Sequence, residues 1–72
     1  MKTLREKVAA MLVLALRLRK WKRKELAARL GVTPPRVTAI LSGKENLTLQ
    51  EVERVLGVLG FRLVIWLGKK HR

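Results

Sequence analysis

The apolar residues fall into five groups separated by polar or glycine-bearing breaks. Thr3-Leu4-Arg5-Glu6 has the spacing of a capping box, in which a hydroxyl takes an orphan N–H and a glutamate three residues on reaches back. It predicts a first helix from Thr3 to about Lys20. The stretch Val8 to Leu16 within it is apolar all round, whereas a helix on a monomer's surface shows a single stripe. One face serves the core, and the surplus is expected to meet a second subunit. A second helix is predicted from about Arg23 to Leu30, with Leu26, Ala27 and Leu30 inward and Gly31 just past its end, where a left-handed residue closes a helix. Thr33 is a good N-cap, and Pro34-Pro35 occupy a first turn whose N–H groups have no helical acceptor. Val37, Ile40 and Leu41 then line one face of a third helix that Ser42-Gly43 end. Thr48-Leu49-Gln50-Glu51 is a second capping box, opening a fourth helix whose Val52, Val55, Leu56 and Leu59 recur at helical spacing until Gly60 stops it.

In the last group, Phe61, Leu63, Ile65 and Leu67 alternate with Arg62, Val64 and Trp66. Alternation and β-branched content predict a strand, with a short fifth helix as the competing reading. A lone strand leaves its backbone groups unpaired, and the one partner edge this chain can offer is a second copy of itself. Phe61, Leu63, Val64, Ile65, Trp66 and Leu67 are therefore the candidate dimerisation residues. The expected architecture is mostly α: a four-helix bundle over residues 1–60, a C-terminal β-strand over 61–67 pairing across a dimer, and a basic tail over 68–72 in which His71 is simply solvated.

Composition narrows the chemistry. A chain of 72 residues makes one small domain, and at that size only about 60% of the unfolded surface is buried, leaving no room for a deep cleft. There is no Cys and a single His, so disulfides, thiolate metal sites and catalytic dyads are closed off. No nucleophile, base and orienting group can be assembled, and neither an enzyme nor a cofactor is expected. Nine apolar residues from Val8 to Leu16 fall short of the about 20 that span a bilayer. Arg17, Leu18, Arg19 and Lys20 follow them instead of a small-residue cleavage site. A cytoplasmic protein with no membrane partner is expected.

Charge changes the picture most. Lys and Arg total 17 against 5 acidic residues, a net +12, while 49% of the residues are hydrophobic, enough to fold. The excess is uneven: residues 1–36 carry 11 basic and 2 acidic side chains, residues 37–72 carry 6 and 3. Arg17 to Lys24 reads RLRKWKRK, six basic residues in eight, a block that repels itself unless something anionic lies opposite. Trp21 within it is expected to plug the core at a helix junction rather than to stack on a base.

Two short helices joined by a glycine turn, with Ala27, Gly31, Val37 and Ile40 in register, make a helix-turn-helix. Ala27 must be small for the helices to cross closely, Gly31 takes the positive φ of the turn, and Val37 and Ile40 form the underside of the third helix. The segment KELAARLGVTPPRVTAILSGKENLTLQEVERVLGVLGFRLVI, Lys24 to Ile65, resembles the Xre/Cro family of prokaryotic and phage regulators. Its Gly43-Lys44-x-Asn46-x-Thr48-Leu49 connection resembles the antitoxin-like branch. The resemblance implies a third helix lying in the major groove of double-stranded DNA. Pro34, Pro35, Arg36, Thr38 and Ala39 become the base-reading candidates, with Lys22, Arg23, Lys24, Thr33, Ser42, Lys44 and Asn46 on phosphates.

Three positions depart from the family pattern. Arg23 stands where a Gln usually opens helix 2, and it can hold a phosphate with charge. Pro34 stands where a Gln often opens helix 3, so a bidentate adenine contact is gone. Leu16 and Leu41 stand where many members pair a buried Arg with a Glu, exchanging a salt bridge for an apolar contact. Arg36 could take a guanine through O6 and N7, and Pro35 and Ala39 could pack on thymine methyls.

The expected function is a homodimeric, palindrome-binding repressor, with a toxin as a possible protein partner if the chain is an antitoxin. The alternative is a nucleoid-type architectural protein with little sequence preference, which the charge and the proline-rich helix favour and the intact helix-turn-helix disfavours.

Overall fold

The structure, a computed structural model, describes residues 2–69. Four helices follow one another: α1 (Leu4–Arg19), α2 (Arg23–Leu30), α3 (Pro34–Ile40) and α4 (Leu49–Val58). Local chemistry sets their starts. At α1 the Glu6 N–H donates to Thr3 Oγ1 (3.3 Å) while the Thr3 N–H donates to Glu6 Oε1 (2.9 Å). At α4 Thr48 and Glu51 repeat the exchange at 3.1 and 3.0 Å. Lys22 precedes α2, and its N–H is taken up by Glu25 Oε1 at 3.2 Å. Thr33 precedes α3 without a side-chain cap: of the two N–H groups a cap serves, Pro35 removes one, and the other, on Arg36, donates to the Thr33 carbonyl at 3.0 Å.

Three ends share one closure. Lys20, Gly31 and Gly60 each adopt the left-handed conformation. The residues after them, Trp21, Val32 and Phe61, donate their N–H groups back to the carbonyls of Leu16, Ala27 and Leu56 at 3.4, 3.0 and 2.8 Å. This six-to-one bond with an apolar residue at its outer position is the Schellman motif. It turns the chain inward at each corner.

The core forms where the four apolar faces meet. Leu12, Leu26, Val37 and Leu59 are the largest fully buried side chains, with Ala15, Leu16, Ala27, Leu30, Ile40, Leu41, Val52, Val55 and Leu56 around them. Leu16 and Leu41 both lie in it. α2 and α3 pack most closely, and α4 lies against α1 and α2. The small Ala27, 2% exposed, is in this core between the motif helices.

The C-terminal expectation needs correcting. No β-strand occurs among the described residues, and 61–69 are neither strand nor helix. A single chain has no second edge to complete a ladder, so the alternation alone cannot make a strand. Leu63 packs against the core, after which Val64, Ile65, Trp66 and Leu67 stand 72–93% exposed. Gly68 and Lys69 complete the described part of the basic tail; the solvated role expected for His71 lies outside the described residues.

Candidate nucleic-acid interface

α3 is held from below. Val37, Ile40 and, just past its end, Leu41 are buried, which turns Pro34, Pro35, Thr38 and Ser42 outward and leaves Ala39 half-buried at the edge. The outward side of α3 is thus short and uncharged, with the Thr38 and Ser42 hydroxyls as its polar side-chain groups. The Thr33 side chain is exposed and makes no bond to its own helix. Ser42 donates its hydroxyl to the Ala39 carbonyl (2.7 Å) and accepts the Lys44 N–H (3.1 Å), so it shapes the turn that leads into the exposed Lys44 and Asn46.

Arg36 is placed differently from the other base-reading candidates. Its guanidinium donates to Glu45 Oε1 at 2.5 Å and to Glu51 Oε2 at 3.0 Å. The hydrogen bond to Glu45 holds the Arg36 pKa above the ordinary arginine value. Thr48, through its backbone N–H first, and then Arg36 hold the Glu51 carboxyl below the ordinary glutamate value, against a smaller desolvation effect. Arg36 thus ties α3 to the α3–α4 connection and to the first turn of α4. To meet a base it must leave both carboxylates.

The basic block before α2 is uncompensated. Lys22, Arg23 and Lys24 are exposed, and among the described residues the ion pairs are those of Arg36 alone. Trp21 does pack against the core as expected, half-buried rather than sealed. Its ring carries the Arg29 guanidinium at 4.5 Å and that of Arg19 at 5.2 Å, a cation–π arrangement that occupies the ring with cations.

Several contributors had no local signal in the sequence. Glu45 and Glu51 lie nine and fifteen residues from Arg36. Arg54 Nη2 donates to the Leu30 carbonyl at 2.6 Å, steadying the end of α2 just before the motif turn from twenty-four residues away. Separations of this kind follow no helical or strand period.

A family model described as Helix-turn-helix, the Xre/Cro type, matches residues 13–66, 54 of the 72. The chain belongs to the Xre/Cro-type helix-turn-helix family. Its matched span covers both motif helices, the connection carrying Glu45, all of α4 and most of the C-terminal segment. The family is one of DNA-binding transcriptional regulators, and α2 and α3 supply its motif here. No curated protein and no solved structure matches this Xre/Cro-type chain. No helix among its described residues is long and apolar enough to cross a membrane.

Proposed function

We propose that this chain is a homodimeric repressor that binds a palindromic operator in double-stranded DNA through the outward face of α3. The observation that carries the proposal is that this face is exposed in a helix-turn-helix whose Lys22, Arg23 and Lys24, at the start of α2, are exposed cations outside the contact ion pairs. Those three, with Thr33, Ser42, Lys44 and Asn46, would hold phosphates on either side of the groove, while Pro34, Pro35, Thr38 and Ala39 would touch base edges. With Arg36 held by two glutamates, base contact is left mainly to apolar groups that suit thymine methyls. Phosphate contacts fix position and base contacts give specificity, so the expected protein binds tightly and selects modestly.

Residues 64–67 support the dimer, because Val64, Ile65, Trp66 and Leu67 are exposed in the single chain and a second copy would cover them, whereas Leu63 is taken up by the chain's own core. Residues 1–60 would then be the DNA-binding part and 68–72 an accessory basic tail. Two-fold symmetry would set the two α3 helices on half-sites about 34 Å apart. The connection Gly43 to Leu49 resembles that of antitoxins, and a toxin encoded beside this chain would make it one.

Footprinting on fragments recovered from a random pool tests the proposal. It expects discrete protected palindromes. Uniform coating without preferred sites would favour the architectural reading, which the two prolines on α3 and the locked Arg36 support.

A further inference from the structure

The outer side of α1 carries a stripe that neither the core nor the proposed DNA face uses. Leu4, Met11, Leu14 and Leu18 lie on it with exposures of 76%, 37%, 57% and 62%. The core-facing residues Leu12 and Leu16 are on the opposite side of the same helix. Spacings of seven, three and four residues are those of a helix–helix seam, and a helix of a monomer has no use for a second seam.

Three of the four are placed symmetrically, while Leu14 falls level with the half-buried Val8 of the other copy. Leu4 and Leu18 each lie seven residues from Met11, so a second α1 running antiparallel and centred on Met11 sets Leu4 against Leu18 and Met11 against its own copy. That is the self-complementarity of a two-fold interface. Charge selects the same direction. α1 has one acidic residue in its first turn, Glu6, and two basic residues in its last, Arg17 and Arg19, with Lys20 following. Glu6 and Arg17 are eleven residues apart and therefore on one flank of the helix. Antiparallel pairing brings Glu6 of each copy beside Arg17 of the other, whereas parallel pairing sets the cations of both last turns together. Lys7, the charged member of the stripe, falls level with Ala15 of the other copy, a residue that its own core buries.

We infer that α1 is a self-association surface on which two copies of this chain pack antiparallel about Met11. This rests on the homodimer proposed above and adds to it a contact separate from residues 61–67.

The absence of Cys makes the inference testable by single-site cross-linking in the full chain. A disulfide needs Cα atoms about 4.4–6.8 Å apart. Met11→Cys is expected to give a disulfide-linked dimer under mild oxidation. Leu4→Cys is expected to stay monomeric by itself, since the two copies of that site lie about 21 Å apart at 1.5 Å per residue, and to cross-link when mixed with Leu18→Cys. Leu18→Glu should weaken self-association by about tenfold or more in sedimentation. The Met11→Cys dimer should persist when Ile65→Glu and Trp66→Glu remove the C-terminal contact. Self-cross-linking of Leu4→Cys, or no cross-linking of Met11→Cys in a chain that sediments as a dimer, overturns this inference and leaves the homodimer standing. A wild-type chain that sediments as a monomer at every concentration overturns both.

Discussion

Arg36 is a base-reading candidate by sequence that the folded chain also holds in two ion pairs. On a helical wheel it borders the outward face of α3, and its type suits guanine. In the folded chain its two amino groups are taken up by Glu45 and Glu51, at 2.5 and 3.0 Å. Arg36→Ala is expected to lower the melting temperature and weaken all DNA sequences alike; loss of preference for a guanine at one operator position, seen by selection from a random pool, would show that Arg36 turns to the base. Glu51 adds a pH dependence. Its folded pKa lies below the ordinary 4.5, chiefly through the Thr48 N–H and in part through Arg36, and Glu6 is lowered in the same way by Thr3. A lowered folded value means that the contribution is complete above the unfolded value and is lost as pH falls through the folded one. Thermal melts should therefore show Glu51→Gln less stable than wild type at neutral pH, with the gap closing below about pH 4 and narrowing in high salt because the pair is exposed. A gap independent of pH would contradict this account. The capping boxes at Thr3 and Thr48 were legible because each spans three residues. The Arg36 cluster was not, because the turn after α3 decides which carboxylates come within reach.

At the scale of elements, the helices follow from their own signals, while the joints between them depend on contacts. Gly43 illustrates a joint. Its φ is +79°, and a Cβ there would lie 3.3 Å from the Glu6 Cα and 3.5 Å from the Ala9 Cβ, so the turn after α3 runs directly against α1. Gly43→Ala is expected to cost about 1–3 kcal/mol from backbone strain, or roughly 4–8 °C in melting temperature per kcal/mol for a domain of this size. A shift under one degree in calorimetry would mean that the contact yields freely. The sequence marks Ser42-Gly43 as a stop but not as a contact with α1. The same limit governs residues 61–67: alternation gives the period of a strand, and only a partner edge can turn that period into one. Trp21 combines both kinds of information, since its place after α1 is local while its two guanidinium neighbours come from α1 and α2.

For the whole molecule, the net charge of +12 is best understood as a located charge. Eleven of the basic residues lie in the first 36, the contact ion pairs among the described residues use only Arg36, and the outward side of α3 is nearly free of base-reading donors. The family and the four-helix order were legible because the motif spacing and the apolar periods agree. The proposed self-association surfaces were legible only as surplus apolar residues, since a single chain does not contain a partner for them. Affinity should thus be dominated by release of counterions from DNA, which makes it steeply dependent on salt.

The phosphate clamp at the start of α2 is tested by the binding constant for double-stranded DNA as a function of salt concentration, for wild type and for the triple variant Lys22→Ala, Arg23→Ala, Lys24→Ala. Each phosphate contact adds about 0.9 to the slope of log K on log salt, so the triple variant should lose about 2 to 3 from a steep wild-type slope while keeping its fold by circular dichroism. An unchanged slope, or a wild-type chain that does not bind double-stranded DNA at low salt, would contradict it.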